Sequence, residues 1–280
     1  MALTLVLLGH LPTTILAADS EPELKWIPFK ASYKALMNGA VVDDNAVREL
    51  IYLGNQRFRF SAVAENFLFK LEEITEFHVQ DQTIYPLQYQ STRSNLFKTR
   101  KKAAGFDWEN NKLHYQDRKA SGTHPLDMGT YDPLTSVFAV TKQLKVGMHD
   151  IDFKETDGRK IKSRHYRLLQ EELLEIPYGK IKTLKLEKLG DDDKTTYMWL
   201  APSLNFLTVK VSQTEADKDY QLELQSYTPQ NEIQIAAPKP LTTAATKSEN
   251  QLPAVPSTPL PASLRDSLNE ETPGLAGDSK

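Results

Sequence analysis

The sequence contains no cysteine. That absence excludes disulfides, thiolate nucleophiles, thiolate metal sites and a lipidated cysteine. Glycine is scarce, at 12 of 280 residues, and neither a Gly-rich phosphate loop nor a Gly-x-Ser-x-Gly elbow occurs. Basic residues do not dominate. The formal net charge is -3, so no global basic field recruits nucleic acid. A membrane-spanning run of ~20 apolar residues is also missing, because His10 and Pro12 interrupt the N-terminal one. What remains is ordinary globular composition, 40% hydrophobic and 25% charged, with enough length for a core that needs no disulfides.

Both ends differ from the middle. Ala2 to Leu8 is apolar, Leu16 closes a second apolar run, and Ala17-Ala18-Asp19 follows. This pattern is that of a secretory signal with a small-residue cleavage site, although no Lys or Arg precedes Lys25. Residues 1–18 are therefore expected to be a signal peptide, shortened at its start, and the mature protein to lie in the periplasm of a Gram-negative bacterium. A buried N-terminal helix is the alternative. From Ala236 to Lys280 aromatic residues vanish, and Pro, Ala, Thr and Ser dominate. Such a segment buries too little apolar area to offset its ordering entropy. A disordered tail is expected over 236–280, and a single β-rich domain over 19–235.

Within that domain the apolar pattern has period two. Phe29, Ala31, Tyr33 and Ala35 alternate with polar neighbours, and Asn38-Gly39 then supplies a hairpin turn. Phe58, Phe60 and Ala62 repeat the pattern, as do Ile151 and Phe153 before the turn Asp157-Gly158. Leu207, Val209 and Val211, then Tyr220, Leu222 and Leu224, continue it. Alternation of this kind predicts a mostly β protein: a curved antiparallel sheet forming a barrel, half-barrel or sandwich of about ten to twelve strands. Phe67-Leu68-Phe69 and Tyr197-Met198-Trp199-Leu200 are apolar at every position, which predicts strands covered on both faces.

The segment TYDPLTSVFAV, Thr130 to Val140, predicts one covering helix near 133–145. Asp132 is suited to cap it and Pro133 to occupy its first position. Leu134, Val137, Phe138 and Leu144 fall on one face. Lys142 and Lys145 complement the dipole at its end, and Gly147 stops it. This local chemistry accounts for Asp132 and Pro133 without catalysis. Removing the cap costs on the order of 1 kcal/mol.

The chemistry-bearing candidates are few. The six histidines include no zinc-protease pair; His124 stands near Asp127 and Asp132, where a folded-back loop could bring them together. Asp191-Asp192-Asp193 lacks the spacing and closing Glu of a calcium loop, so a solvated turn is expected. Lys98, Arg100, Lys101 and Lys102 form a basic cluster, either a patch for an anionic partner such as lipid headgroups or a charged strand edge that discourages aggregation. Trp108, Tyr197 and Trp199 are candidates to line a ligand cavity, or to be ordinary core. No cofactor and no metal site is expected.

Several stretches together resemble a known family. They are Phe29-x-Ala31-x-Tyr33, Tyr85-Pro86-Leu87-Gln88-Tyr89, Phe106-Asp107-Trp108, Tyr131-Asp132-Pro133-Leu134-Thr135-Ser136, Trp199-Leu200-Ala201-Pro202 and Leu207-Thr208-Val209-Lys210-Val211. Their order and spacing, from Phe29 to Tyr227, are similar to those of the exported bacterial proteins called domain of unknown function 3108. The second glycine usual there after the first hairpin is replaced by Asp43-Asp44-Asn45, and Asn tolerates a left-handed turn. The resemblance implies a secreted, mostly β protein and supplies no catalytic residues. The expected function is binding or carrying an apolar or amphipathic envelope molecule such as a lipid. The alternative is an envelope scaffold that contacts a protein and has no ligand cavity. An enzyme acting on an envelope polymer would need facing acids such as Asp127 and Asp132, and is not the expectation.

Overall fold

The computed structural model describes residues 23–66, 69–190 and 193–235. The expected signal segment and tail lie outside these residues, as do Phe67, Leu68, Asp191 and Asp192. Eight strands come first: β1 Phe29–Met37, β2 Ala40–Gly54, β3 Arg57–Glu65, β4 Phe69–Gln80, β5 Thr83–Asn95, β6 Lys98–Asp107, β7 Lys112–Asp117 and β8 Ser121–Pro125. A two-residue β9, Thr130–Tyr131, precedes the helix α1, Ser136–Lys145. Then follow β10 Asp150–Thr156, β11 Ile161–Ile176, β12 Gly179–Leu189, β13 Lys194–Ala201, β14 Leu207–Glu215 and β15 Lys218–Pro229.

All fifteen strands form one sheet, in the order β8-β7-β6-β5-β4-β3-β2-β1-β15-β14-β13-β12-β11-β10-β9. The expected mostly β, curved sheet with one α-helix is what the described residues form. The expected ten to twelve strands are too few. β8 (SGTHP) and β9 are strands by pairing alone, and nothing in their sequence alternates.

Two meanders therefore meet at the middle of the sheet, where β1 pairs β15 from Phe29↔Pro229 to Met37↔Tyr220. Register shifts mark bulges whose extra residues lie on β2, β5, β11, β14 and β15, and each bulge adds bend and twist to its strand. Asp43-Asp44-Asn45 is one of these sites rather than a second turn, and Asn45 does not adopt a left-handed conformation. The Asp43 carboxylate pins the bulge by accepting the amides of Asn45 (2.8 Å) and Glu65 (2.8 Å).

The curled sheet does not close by hydrogen bonds, because β8 and β9 do not pair. Yet only residues 126–129 separate them in sequence, a link that spans at most about 18 Å. The two edges therefore face each other across a seam, which side chains bridge. Lys102 pairs with Asp157. Arg159 contacts Asp117 at 3.3 Å, and the Arg159 carbonyl lies 2.8 Å from His124 Nε2. Lys154 meets Asp127 at 2.6 Å.

Side chains fill the centre. Trp26 packs on Phe58, Phe77 and Phe138 with ring centroids 5.1, 5.7 and 5.2 Å apart. This cluster also takes in Phe29, Tyr33, Tyr89, Trp108, Trp199 and Leu224. A second cluster joins Ala139, Val140 and Leu144 of the helix to Ile151, Phe153, Leu186 and Leu200. The helix is thus clamped from more than the one predicted face. β13 is covered on both faces as expected, with Tyr197 and Trp199 on the first cluster and Met198 and Leu200 on the second.

Gly158, in the turn between β10 and β11, packs closely against the opposite wall of the seam. Its φ is +104°, and a Cβ there would lie 3.0 Å from the Ala103 carbonyl oxygen and 3.0 Å from Tyr115 Cβ. Gly39 has φ +78° and nothing within 4 Å. In urea unfolding, Gly39→Ala is expected to cost about 1 kcal/mol for its backbone alone. Gly158→Ala is expected to cost about 1–3 kcal/mol more, because backbone cannot yield there. Equal costs would show that the seam is not packed at Gly158.

Candidate functional site

The helix enters from the seam. Asp132 is fully buried and uses both carboxylate oxygens. Oδ1 accepts the amides of Leu134 (2.8 Å) and Thr135 (3.0 Å). Oδ2 accepts the hydroxyls of Thr135 (2.8 Å) and of Thr75 on β4 (2.7 Å). The capping role read from sequence therefore holds for the turn at Pro133. Regular helix begins three residues later than expected, at Ser136, after Thr135 has already taken right-handed helical angles. At the other end Gly147 has φ +80°; its amide bonds Leu144 O (3.0 Å) and that of Met148 bonds Gln143 O (3.0 Å). That is the Schellman stop expected of Gly147. The bond to Thr75 was not legible in sequence, since it joins residues 57 apart.

Two cavities lie along this helix, and a third lies beside the turn that leads into it. The first, of about 40 Å³, is walled by Trp26, Phe29, Leu50, Phe60, Phe138 and Leu207, with Arg48 at its side. The second, of about 240 Å³, shares Arg48, Phe60 and Val137 with the first and adds Leu134, Val140, Tyr166, Met198 and Val211. A third, of about 310 Å³, shares Pro133 and Glu155 with the second and opens on the seam. Its walls come from opposite halves of the sheet: Glu73, Tyr89, Ser91, Arg93, Arg100 and Lys102 on one side, Glu155, Asp157, Lys160, Lys162 and Arg164 on the other.

Charge is unevenly matched in this outer cleft. Glu73 meets Arg93 at 3.1 Å, Glu155 meets Arg164 at 2.8 Å, and Asp157 pairs Lys102. Arg100, Lys160 and Lys162 line it with no ion pair among the described residues, so the cleft carries excess positive charge. Burial, followed by the Glu73 and Asp132 carboxylates, holds the Tyr89 phenol far above its ordinary range. Tyr89 stays a neutral donor, bonded to Glu73 at 2.9 Å.

Arg48 is the other unmatched cation. Its guanidinium lies 5.5 Å from the centre of the Tyr33 ring. Its Nε is buried without a hydrogen-bond partner, and it makes no ion pair among the described residues. Ala46 and Leu50, two residues either side, are buried. Period two therefore places Arg48 on the core face, a signal that sequence reading passed over. Lys160, Lys162 and Arg164, at every second position, likewise announce a basic strand face.

The residues proposed from sequence separate. Arg100 and Lys102 line the outer cleft, whereas Lys98 and Lys101 do not. β6 lies between β5 and β7, but its pairing with β7 begins only at Lys102, so Lys98, Arg100 and Lys101 stand on a locally unpaired edge, as the charged-edge reading expects. Trp108, Tyr197 and Trp199 line none of the three cavities. Trp108 packs on Tyr85 and Phe106 and donates to Pro86 O at 2.7 Å. Trp199 packs beside Tyr197, donates to Glu172 and is flanked by Lys185 and Lys210. These rings are core and sheet packing.

Asp127, 59% exposed and paired with Lys154, does not face the buried Asp132 as a second acid. His124 stacks on Tyr115 at 5.0 Å. Phe69 is half-buried at the start of β4, and Asp193 lies in a turn.

The model of the family described as protein of unknown function (DUF3108) matches residues 37–225, which hold the whole outer cleft. The chain belongs to the DUF3108 family. The matched span is slightly shorter than the Phe29–Tyr227 resemblance. No curated protein matches the chain. Among solved structures, a crystal structure of a β-barrel-like protein of domain of unknown function DUF1849 from Brucella abortus is similar in fold. Its TM-score is 0.51 at 11% identity, over 74% of this chain and 100% of that one. The likeness joins this DUF3108 chain to a barrel-like architecture.

The Asp132 network titrates in a useful range. Burial raises the carboxyl from 3.8 to about 6, against the opposing hydrogen bonds from Thr75, Thr135 and Leu134. A folded-state value above the unfolded one stabilises fully below about pH 4, and that contribution disappears as pH rises through about 6. The stability of wild type relative to Asp132→Asn should therefore fall by roughly 2 kcal/mol between pH 4 and pH 7 in urea titrations. A constant difference would show a carboxyl that titrates normally.

Proposed function

We propose that this DUF3108 chain is an exported, periplasmic binding protein for an amphipathic envelope molecule bearing an anionic group, and that it is not an enzyme. The observation that carries the reading is Arg48, a cation at the junction of two partly apolar cavities that makes no ion pair among the described residues, Glu155 of the second cavity being taken up by Arg164. A half-buried cation whose Nε is sealed from water without a partner is costly, and a ligand anion offsets that cost. The second and outer cavities adjoin at Pro133 and Glu155 and are of the size at which small-molecule sites begin. Their walls grade from apolar beside the helix to cationic at the seam, the polarity of an amphiphile. The filled aromatic centre around Trp26 favours the second reading, a scaffold without a ligand, and limits any bound chain to a short apolar portion.

Native mass spectrometry and organic extraction of the purified full chain test the reading. Wild type is expected to carry an anionic amphiphile. Arg48→Met is expected to lose it while the ligand-free protein gains roughly 1 kcal/mol of stability, since an unpaired charge has been removed. Retention of the same ligand by Arg48→Met, or no ligand in wild type across preparations, would shift the assignment to the scaffold.

A further inference from the structure

We infer that the β5–β6 hairpin is a docking element that inserts its tip into an anionic lipid surface. Leu96 and Phe97 form the turn, 65% and 93% exposed. Turn residues are ordinarily small or polar, and other hairpins of this chain use Asn38-Gly39, Asp81-Gln82 and Asp157-Gly158. The fold does not need Leu96 and Phe97, because Asn95 fixes the turn: its Oδ1 accepts the amides of Phe97 (3.0 Å) and Lys98 (2.9 Å). Two large apolar side chains thus stand in solvent where the backbone asks nothing of them.

The charge around them points to the partner. Arg93, Lys98, Arg100, Lys101 and Lys102 flank the tip, and no acidic residue occurs from Gln90 to Phe106. Arg93 and Lys102 at the base are met by Glu73 and Asp157, but the cations nearest the tip, from Lys98 to Lys101, concentrate positive charge on a chain whose net charge is -3. On its β7 side the pairing of β6 ends at Lys102, so the stretch from Lys98 to Lys101 extends past that neighbour. Solubility alone accounts for cations on such an extension but not for an exposed Phe at its apex. An apolar apex with cations behind it matches the order of a bilayer surface, where acyl chains lie beneath anionic headgroups. Arg93 and Arg100 also line the outer cleft, so docking would bring the cleft to the lipid surface.

Cosedimentation of the full chain with phosphatidylcholine vesicles, with and without phosphatidylglycerol, is the test. Wild type is expected to bind the anionic vesicles, less so as salt rises. Leu96→Ser combined with Phe97→Ser is expected to weaken binding by about tenfold or more, with an unchanged melting temperature because both residues are exposed. Phe97→Trp should be quenched by brominated lipids. Absence of wild-type binding, equal binding by the double variant, or binding that leaves Phe97→Trp unquenched would each overturn the assignment. The last result would point to an acidic protein surface instead. Leu96 and Phe97 line none of the cavities, so failure here leaves the binding reading intact.

Discussion

The hydrogen bond from Thr75 to Asp132 organises this molecule. A sheet of fifteen strands curls until its two edges face each other, but the edges never pair. A helix has to be held inside that curl from one side and anchored to the opposite wall. Asp132 does both: two backbone amides hold one oxygen, and hydroxyls from the helix turn and from β4 hold the other. Once the helix is fixed, Phe138 meets Trp26, Phe60 and Phe77, and Leu144 joins the second cluster. The two halves of the core then share one element. A carboxylate so enclosed is expensive as an anion, which is why its affinity for a proton rises.

The open seam explains where polar chemistry gathers. Inside a paired sheet, backbone groups satisfy one another and side chains on the core face are apolar. Along the seam no ladder exists, so charged side chains perform the closure: Lys102 with Asp157, Arg159 with Asp117, Lys154 with Asp127. These groups remain partly exposed to water. An anionic ligand reaching the cleft would meet Arg100, Lys160 and Lys162 without displacing an internal acid. Arg48 lies deeper, at the apolar end of the same series of cavities.

Much of the architecture is legible in the sequence, because period-two burial is local. β1 reads as alternating and is buried in alternation. The helix, its Asp132 turn and its Gly147 stop are local too, and only the first regular turn was placed too early. What sequence could not supply is adjacency across the seam. Arg100 and Lys162 are 62 positions apart and meet one cleft only because β8 and β9 lie at opposite ends of the strand order. The aromatic residues misled for a related reason. Trp108 and Trp199 are equally apolar whether they line a cavity or fill a core, and here hydrogen bonds to Pro86 and Glu172 seal them in place. Arg48 was visible, since a charge between Ala46 and Leu50 breaks the pattern of an inward face.

The strand order also shapes how the chain assembles. Neighbours along each meander are neighbours in sequence, so β1 to β8 and β10 to β15 can each zip by successive hairpins, while β9 adds in parallel through the helix crossover. The centre of the finished sheet behaves oppositely: Phe29 pairs with Pro229, among the most distant partners the chain possesses. Loop-closure entropy makes such a contact late and slow. Two half-sheets, each with an unpaired inner edge, must therefore persist until the last strand arrives. β1, paired to β2 on one side, keeps its other edge open until β15, the last of the fifteen strands, is available to cover it.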